Sequence, residues 1–229
     1  MMMPYSQNKV LVFDLDDTLY KEIDFLISGY RYISDFVSSK YGLEKSTVYG
    51  ELIDWYYSDC NPFKELISRY HLSEKISTLL AIYRNHYPSI ALDYDTEDLL
   101  RRSKEKGVTL GLITDGRGYT QRNKIRALGL ERFIDNKNIV ISEEFGSEKP
   151  SFQNFEYFMT LYPNSSFVYV GDNPKKDFIT PNILGWITIM LSDDGRNIHK
   201  IPQGLKEEYQ ASFRLDNLSG IIELIGCQD

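Results

Sequence analysis

The stretch Val10-Leu11-Val12-Phe13-Asp14-Leu15-Asp16-Asp17-Thr18-Leu19 decides how this chain is read. A wholly apolar run of this length is the mark of a strand buried on both faces. It ends in three carboxylates and a hydroxyl within five residues. Crowded carboxylates repel one another, so they persist where a cation sits among them. The stretch therefore predicts a central strand that delivers acids to a site.

Further short apolar runs follow, at 108–114, 138–142, 167–171 and 186–191, with a weaker edge candidate at 212–215. Helical segments separate them. Thr96 is placed as the cap of a helix that stops at Gly107. A second helix runs from Thr120 to Leu128 and stops at Gly129. Ser151 is placed as the cap of Phe152 to Leu161, and a short helix near Pro181 to Leu184 ends at Gly185. Strands alternating with helices predict an α/β fold, a doubly wound, Rossmann-like parallel sheet covered on both faces.

Residues 21 to 94 break this rhythm and contain no convincing strand. Ile23, Leu26, Tyr30, Ile33, Val37 and Tyr41 follow helical spacing. Asn61-Pro62 and Ser73 read as helix starts. About four helices are expected, forming an insertion after the first strand. The division predicted is a core of residues 1–20 and 95–229 and a helical unit of 21–94. Ten of the 17 tyrosines fall in this unit. For any one of them, a place in a small aromatic core is favoured over a place in a substrate pocket.

The 229 residues carry a net charge of −7, which argues against a nucleic-acid-binding surface. No apolar run approaches the roughly 20 residues of a membrane helix, and Met1 to Lys9 lacks the apolar core of a signal peptide. Cys60 and Cys227, far apart, form no zinc spacing and no disulfide framework, so a cytoplasmic location is expected. His71, His86 and His199 show no metal or triad spacing and are expected at the surface. The sequence carries no signal of oligomeric state.

Polar residues stand where the apolar runs end: Asp14 and Asp16, then Thr114 and Asp115, then Lys149, then Asp172 and Asn173 with Asp177 beyond. Parallel strands all point one way, so these groups collect on the carboxyl edge, where open α/β sheets bind ligands. Carboxylates from two strand ends suit a hard cation such as Mg²⁺, and Asp14 and Asp172 are the expected pair. One carboxylate then serves as nucleophile, and a second, two residues along, moves protons. Lys149 and Thr114 suit phosphate oxygens. The backbone N–H groups of Gly116 and Gly118 are expected to face an anion. Arg117 is placed either against an anionic substrate or in solvent.

With these residues in view, the chain resembles phosphatases of the haloacid dehalogenase superfamily. Asp14-Leu-Asp16-Asp-Thr18 is similar to the first motif, Ile113-Thr114-Asp-Gly to the second, Lys149-Pro150 to the third, and Gly171-Asp172-Asn-Pro-Lys-Lys-Asp177 to the fourth. The resemblance implies that Asp14 attacks phosphorus. Asp16 would protonate the leaving oxygen and then activate water. Mg²⁺ would be held by Asp14, Asp172 and the backbone carbonyl of Asp16. The transferred phosphoryl group would rest on Thr114, Asp115, Gly116 and Lys149. Thr18, Asn173 and Asp177 would be supporting residues, with Asp177 orienting Lys149 or a metal-bound water. The insertion would be the family's helical C1 cap, hinged by a hairpin flap just beyond Tyr20. Thr180-Pro181-Asn182 departs from the small residues many relatives carry there.

The expected activity is Mg²⁺-dependent hydrolysis of a small phosphorylated metabolite, a sugar phosphate or nucleoside monophosphate. A phosphomutase of the same superfamily is the alternative. A receiver-type signalling domain and a non-catalytic phosphate-ligand binder rank below both. Tyr20, Asp24, Tyr56 and Tyr57 are candidates for contact with the substrate.

Overall fold

The computed structural model describes residues 8–200 and 204–224. Cys227 and the first seven residues lie outside them. Six parallel strands form one sheet in the order β3-β2-β1-β4-β5-β6. They are β1 (Lys9–Phe13), β2 (Thr109–Thr114), β3 (Ile139–Ile141), β4 (Ser166–Gly171), β5 (Ile187–Leu191) and β6 (Phe213–Leu215). The strand holding Asp14 at its end is therefore central, with β2 on one side and β4 on the other.

Alternation along β1 explains the layering. Val10 and Val12 pack with Phe155, Phe158, Tyr169 and Trp186 on one face. Leu11 and Phe13 pack with Leu99, Leu110, Ile125 and Val170 on the other. Successive strand side chains point to opposite faces, so an all-apolar strand needs cover on both. That cover comes from α5 (Tyr94–Glu105), α6 (Gly118–Ala127) and α11 (Ile221–Leu224) on the Leu11 face and from α8 (Phe152–Leu161) on the Val10 face. The remaining α7 (Ser142–Phe145), α9 (Pro174–Asp177) and α10 (Ile179–Ile183) are short helices in the connections.

Four helices lie between β1 and α5: α1 (Glu22–Tyr41), α2 (Lys45–Tyr57), α3 (Pro62–Tyr70) and α4 (Ile76–Asn85). They share an apolar cluster of their own, around Ile33, Val37, Val48, Leu52, Leu66 and Leu79. Tyr30 is buried in it and meets Tyr56 and Phe63 edge to face. No helix among the described residues is long and apolar enough to cross a membrane.

Several helix ends differ from expectation. Asn61 does cap α3, its side chain accepting from the Lys64 N–H at 3.0 Å. Ser73 does not cap α4, which begins at Ile76 after Lys75. Asp93, not Thr96, caps α5; its carboxylate accepts the Thr96 N–H at 2.7 Å, so Thr96 sits inside the first turn. Ser151 precedes α8 without a side-chain cap bond. No hairpin follows Tyr20. Asp17, at φ 56°, turns the chain, and its carboxylate accepts the Glu22 N–H at 2.9 Å. That bond satisfies an orphan donor at the start of α1, so a helix begins there. His86 is buried rather than at the surface. Its Nε2 faces Ser28 at 3.1 Å and its Nδ1 faces the Tyr83 carbonyl.

Candidate active site

The carboxyl ends of β1, β2 and β4 bring Asp14, Thr114 and Asp172 together, and the turn after α7 adds Lys149. All four are buried. Lys149 Nζ lies 2.6 Å from Asp14 Oδ1, 2.7 Å from Asp177 Oδ1 and 3.2 Å from the Tyr169 hydroxyl. Burial alone would discharge this ammonium, but the charges of Asp14 and Asp177 hold it protonated well above the usual lysine range. Asp177 is fully buried, and its second oxygen accepts the Asn173 N–H at 2.8 Å.

Carboxylate oxygens of Asp14, Asp172 and Asp177 fall within 4.8 Å of one another. Burial pushes Asp14 up to about 7, and burial with the charge of Asp14 pushes Asp172 up to about 9. Acids so crowded and so raised are short of positive charge. An all-oxygen donor set of this kind fits a hard divalent cation. Asp177 is already engaged by Lys149, Tyr169 and a backbone N–H, which leaves Asp14 and Asp172 as the fitting pair. Asn197, not singled out by the sequence, donates to Asp172 Oδ2 at 3.2 Å.

Asp16 sits differently. Its Oδ1 accepts from Lys124 Nζ at 2.7 Å and from the Tyr20 hydroxyl, and its Oδ2 accepts from Gln121 Nε2 at 2.9 Å. Burial would raise this acid, but Lys124 and the three donors outweigh it and hold it below the usual carboxylate value. The same Gln121 nitrogen donates to Thr114 Oγ1 at 2.6 Å. Lys124 and Gln121 were also invisible as site residues in the sequence. The one available signal was the composition of α6, in which Tyr119, Ile125 and Ala127 are the only apolar side chains, fewer than a helix covering a sheet ordinarily brings.

The remaining sequence candidates divide. Asp115 turns its carboxylate to the Lys149 N–H and to Lys176 Nζ, both at 3.0 Å. The Gly116 N–H donates to Ser142 Oγ at 2.9 Å and the Gly118 N–H to Glu143 at 2.7 Å. The Gly116 amide therefore faces a hydroxyl, and the only anion the Gly118 amide meets among the described residues is the protein's own Glu143 carboxylate; α7 has taken both. Thr18 is buried, and its hydroxyl has no partner among the described residues. Tyr56 and Tyr57 line a separate cavity with Arg196 and Lys200, and Asp24 pairs with Arg196 at 2.6 Å.

Asp14, Asp16, Thr114, Lys149 and Asp172 line one cavity of about 290 Å³, joined at its edge by Glu22 and His199. Asp16, Glu22 and Asp115 also border a second cavity of about 250 Å³ that runs toward Tyr83, Arg84 and Arg117. Among the described residues, neither arginine forms an ion pair. Arg117 is exposed at the rim of that cavity.

Comparison with known proteins follows the same lines. Residues 11–189 match the model of the haloacid dehalogenase-like hydrolase family. A glyceraldehyde 3-phosphate phosphatase of Methanocaldococcus jannaschii is 26% identical, covering 95% of this chain and 96% of its own. The pyrimidine 5'-nucleotidase YjjG of Escherichia coli is 32% identical, over 45% of each chain. Among solved structures, the HAD hydrolase YfnB of Bacillus subtilis, bound to magnesium, superposes with a TM-score of 0.65 at 18% identity, covering 96% of this chain and all of its own. A 2-haloacid dehalogenase of Pseudomonas syringae superposes with a TM-score of 0.62 at 18% identity, covering 96% of this chain and 99% of its own. The chain belongs to the haloacid dehalogenase-like hydrolases, as an enzyme acting on phosphoric monoesters.

Proposed function

We propose that this protein is a Mg²⁺-dependent phosphatase of a small sugar phosphate, working through a phospho-aspartate on Asp14. The observation that carries the reading is the buried Lys149 ammonium held between Asp14 and Asp177, with Asp172 beside them. It is a preformed charge for a phosphoryl group on one side and a carboxylate nucleophile on the other. The near full-length match to a glyceraldehyde 3-phosphate phosphatase favours a sugar phosphate. The nucleotidase match, confined to under half of the chain, supports a nucleoside monophosphate less well.

Asp14 and Asp172, with the Asp16 carbonyl, would hold Mg²⁺, which supplies positive charge against the nucleophile and the phosphate. An oxygen of Asp14 attacks phosphorus while Lys149 and Thr114 hold phosphoryl oxygens. The negative charge of the arriving phosphate beside Asp16 opposes the pull of Lys124 and favours a proton on its carboxyl. Asp16 gives that proton to the departing alkoxide oxygen as its bond to phosphorus breaks. The Asp16 carboxylate then takes a proton from water, whose oxygen attacks phosphorus and frees Asp14 and inorganic phosphate. Asp177 keeps Lys149 in place, and the amide of Asp115 is a backbone donor candidate on the β2 loop. We place residues 21–94 as a cap over the core formed by 1–20 and 95–229. The alcohol part of the substrate would extend into the cavity bordered by Tyr83, Arg84 and Arg117.

The test is turnover of an aryl phosphate with Mg²⁺, with chelator, and by Asp14→Asn. Activity is expected only for the unaltered protein with metal. Undiminished turnover by Asp14→Asn overturns the mechanism, and bisphosphate-dependent isomerisation of a sugar phosphate would indicate a mutase instead.

A further inference from the structure

We infer that Gln121 and Lys124, one turn apart on α6, are positioning residues that fix which oxygen of Asp16 exchanges the proton. The inference rests on the reading of Asp16 as the acid–base group. A carboxylate offers about four lone-pair sites, two on each oxygen. Oδ1 spends both of its sites, one on Lys124 and one on Tyr20. Oδ2 spends one, on Gln121. Oδ2 is the oxygen with a site left, and Gln121 sets the direction in which that site points.

The construction of α6 supports this. A helix packed on a sheet ordinarily buries an apolar stripe, and burying polar groups costs free energy unless they are paired. Here the inward positions of α6 include Gln121 and Lys124. Lys124 is 3% exposed, with its ammonium 4.5 Å from the centre of the Phe25 ring on α1. Its ion pair with Asp16 is bounded by the Phe25 ring and by Tyr20, whose hydroxyl bonds the same Asp16 oxygen. Gln121 does a second task with the same NH₂ group. By donating to Thr114 Oγ1 it occupies an acceptor site of that hydroxyl and leaves the hydroxyl's own proton for another partner. Both side chains also border the cavity proposed for the alcohol part of the substrate, and both are bonded to Asp16, Gln121 to Thr114 as well.

Leaving-group dependence tests this. An alkyl phosphate needs its leaving oxygen protonated, whereas 4-nitrophenolate departs with little help. The value of kcat/KM reports the steps through departure of that oxygen. Lys124→Met and Gln121→Leu should each lose at least about tenfold more kcat/KM on glycerol 2-phosphate than on 4-nitrophenyl phosphate. Equal losses on the two esters, in variants whose melting and circular dichroism match the unaltered protein, overturn the inference. Should Lys124→Met fail to fold, Gln121→Leu and Gln121→Met carry the same comparison, because Gln121 is neutral and leaves no buried charge behind. Failure of the unaltered protein to turn over either ester would instead count against the phosphatase reading.

Discussion

Gly171 lies so close beneath Asp177 that a Cβ added to it would stand 2.5 Å from Asp177 Oδ2. The fit lets β4 end directly against the acid that holds Lys149. Gly171→Ala should push Asp177 aside and loosen its bonds to Lys149 and to the Asn173 N–H. A loss of about 1–3 kcal/mol in urea unfolding is expected, the usual range for overpacking. Turnover should fall with it. An unchanged midpoint and unchanged activity would show that Asp177 has room to move.

Lys149 is the only cation bonded to both Asp14 and Asp177 among the described residues. Lys149→Met leaves two buried acids facing each other. Breaking a buried charge pair in this way costs about 3–5 kcal/mol. Chemical denaturation should show a loss of that order, softened if an acid takes up a proton. Aryl phosphatase activity should fall by about a hundredfold or more, as for removal of one preorganised donor.

Thr18 is 3% exposed and its hydroxyl has no partner among the described residues. A buried hydroxyl without a hydrogen bond contributes nothing to offset its desolvation. Thr18→Val should therefore melt at the same temperature as the unaltered protein or higher. A clear drop in kcat without a drop in melting temperature would give the hydroxyl a task during turnover.

His86 gives the fold a pH dependence of known sign. Its Nδ1 faces a carbonyl, so Nδ1 carries the hydrogen and neutral Nε2 accepts from the Ser28 hydroxyl. That hydroxyl in turn accepts the Ser89 N–H at 2.8 Å. Burial lowers the folded His86 below its ordinary value of 6.5. The unfolded chain then binds the proton more readily, so stability is full above 6.5 and declines as pH falls below it toward the folded value. Melting temperatures from pH 7.5 to 5.5 should fall more steeply for the unaltered protein than for His86→Gln. Parallel slopes would mean that His86 protonates without cost.

Residue type and strand position made much of the site legible. Asp14, Thr114, Lys149 and Asp172 stand at or just beyond strand ends, and a parallel sheet leaves such residues only one edge on which to gather. The first of the four helices between β1 and α5 was legible from the helical spacing of Ile23 to Tyr41. What escaped was set by tertiary contacts. Gln121 and Lys124 lie in a stretch that reads as the wet side of a surface helix until Asp16 and Phe25 are placed beside it. Gly116 looked like an anion cradle until Ser142 took its N–H. His86 looked like a surface residue until Ser28, far off in sequence, supplied its partner. Asp93 outcompeted Thr96 as a cap because the choice depends on backbone angles at the boundary, which composition does not fix.

The loop leaving β5 reaches back across the molecule. Asn197 is buried, donates to Asp172 and accepts from Lys21 Nζ at 2.8 Å, while the next N–H, of Ile198, donates to Asp17 at 3.1 Å. A single side chain thus spans the end of β4 and the segment from which the four-helix insertion departs. The loop acts as a strut between two places that the chain itself connects only through a long detour. Lengthening it would be felt at both ends at once, as slack in the seat of Asp172 and as freedom in the angle at which α1 leaves the sheet.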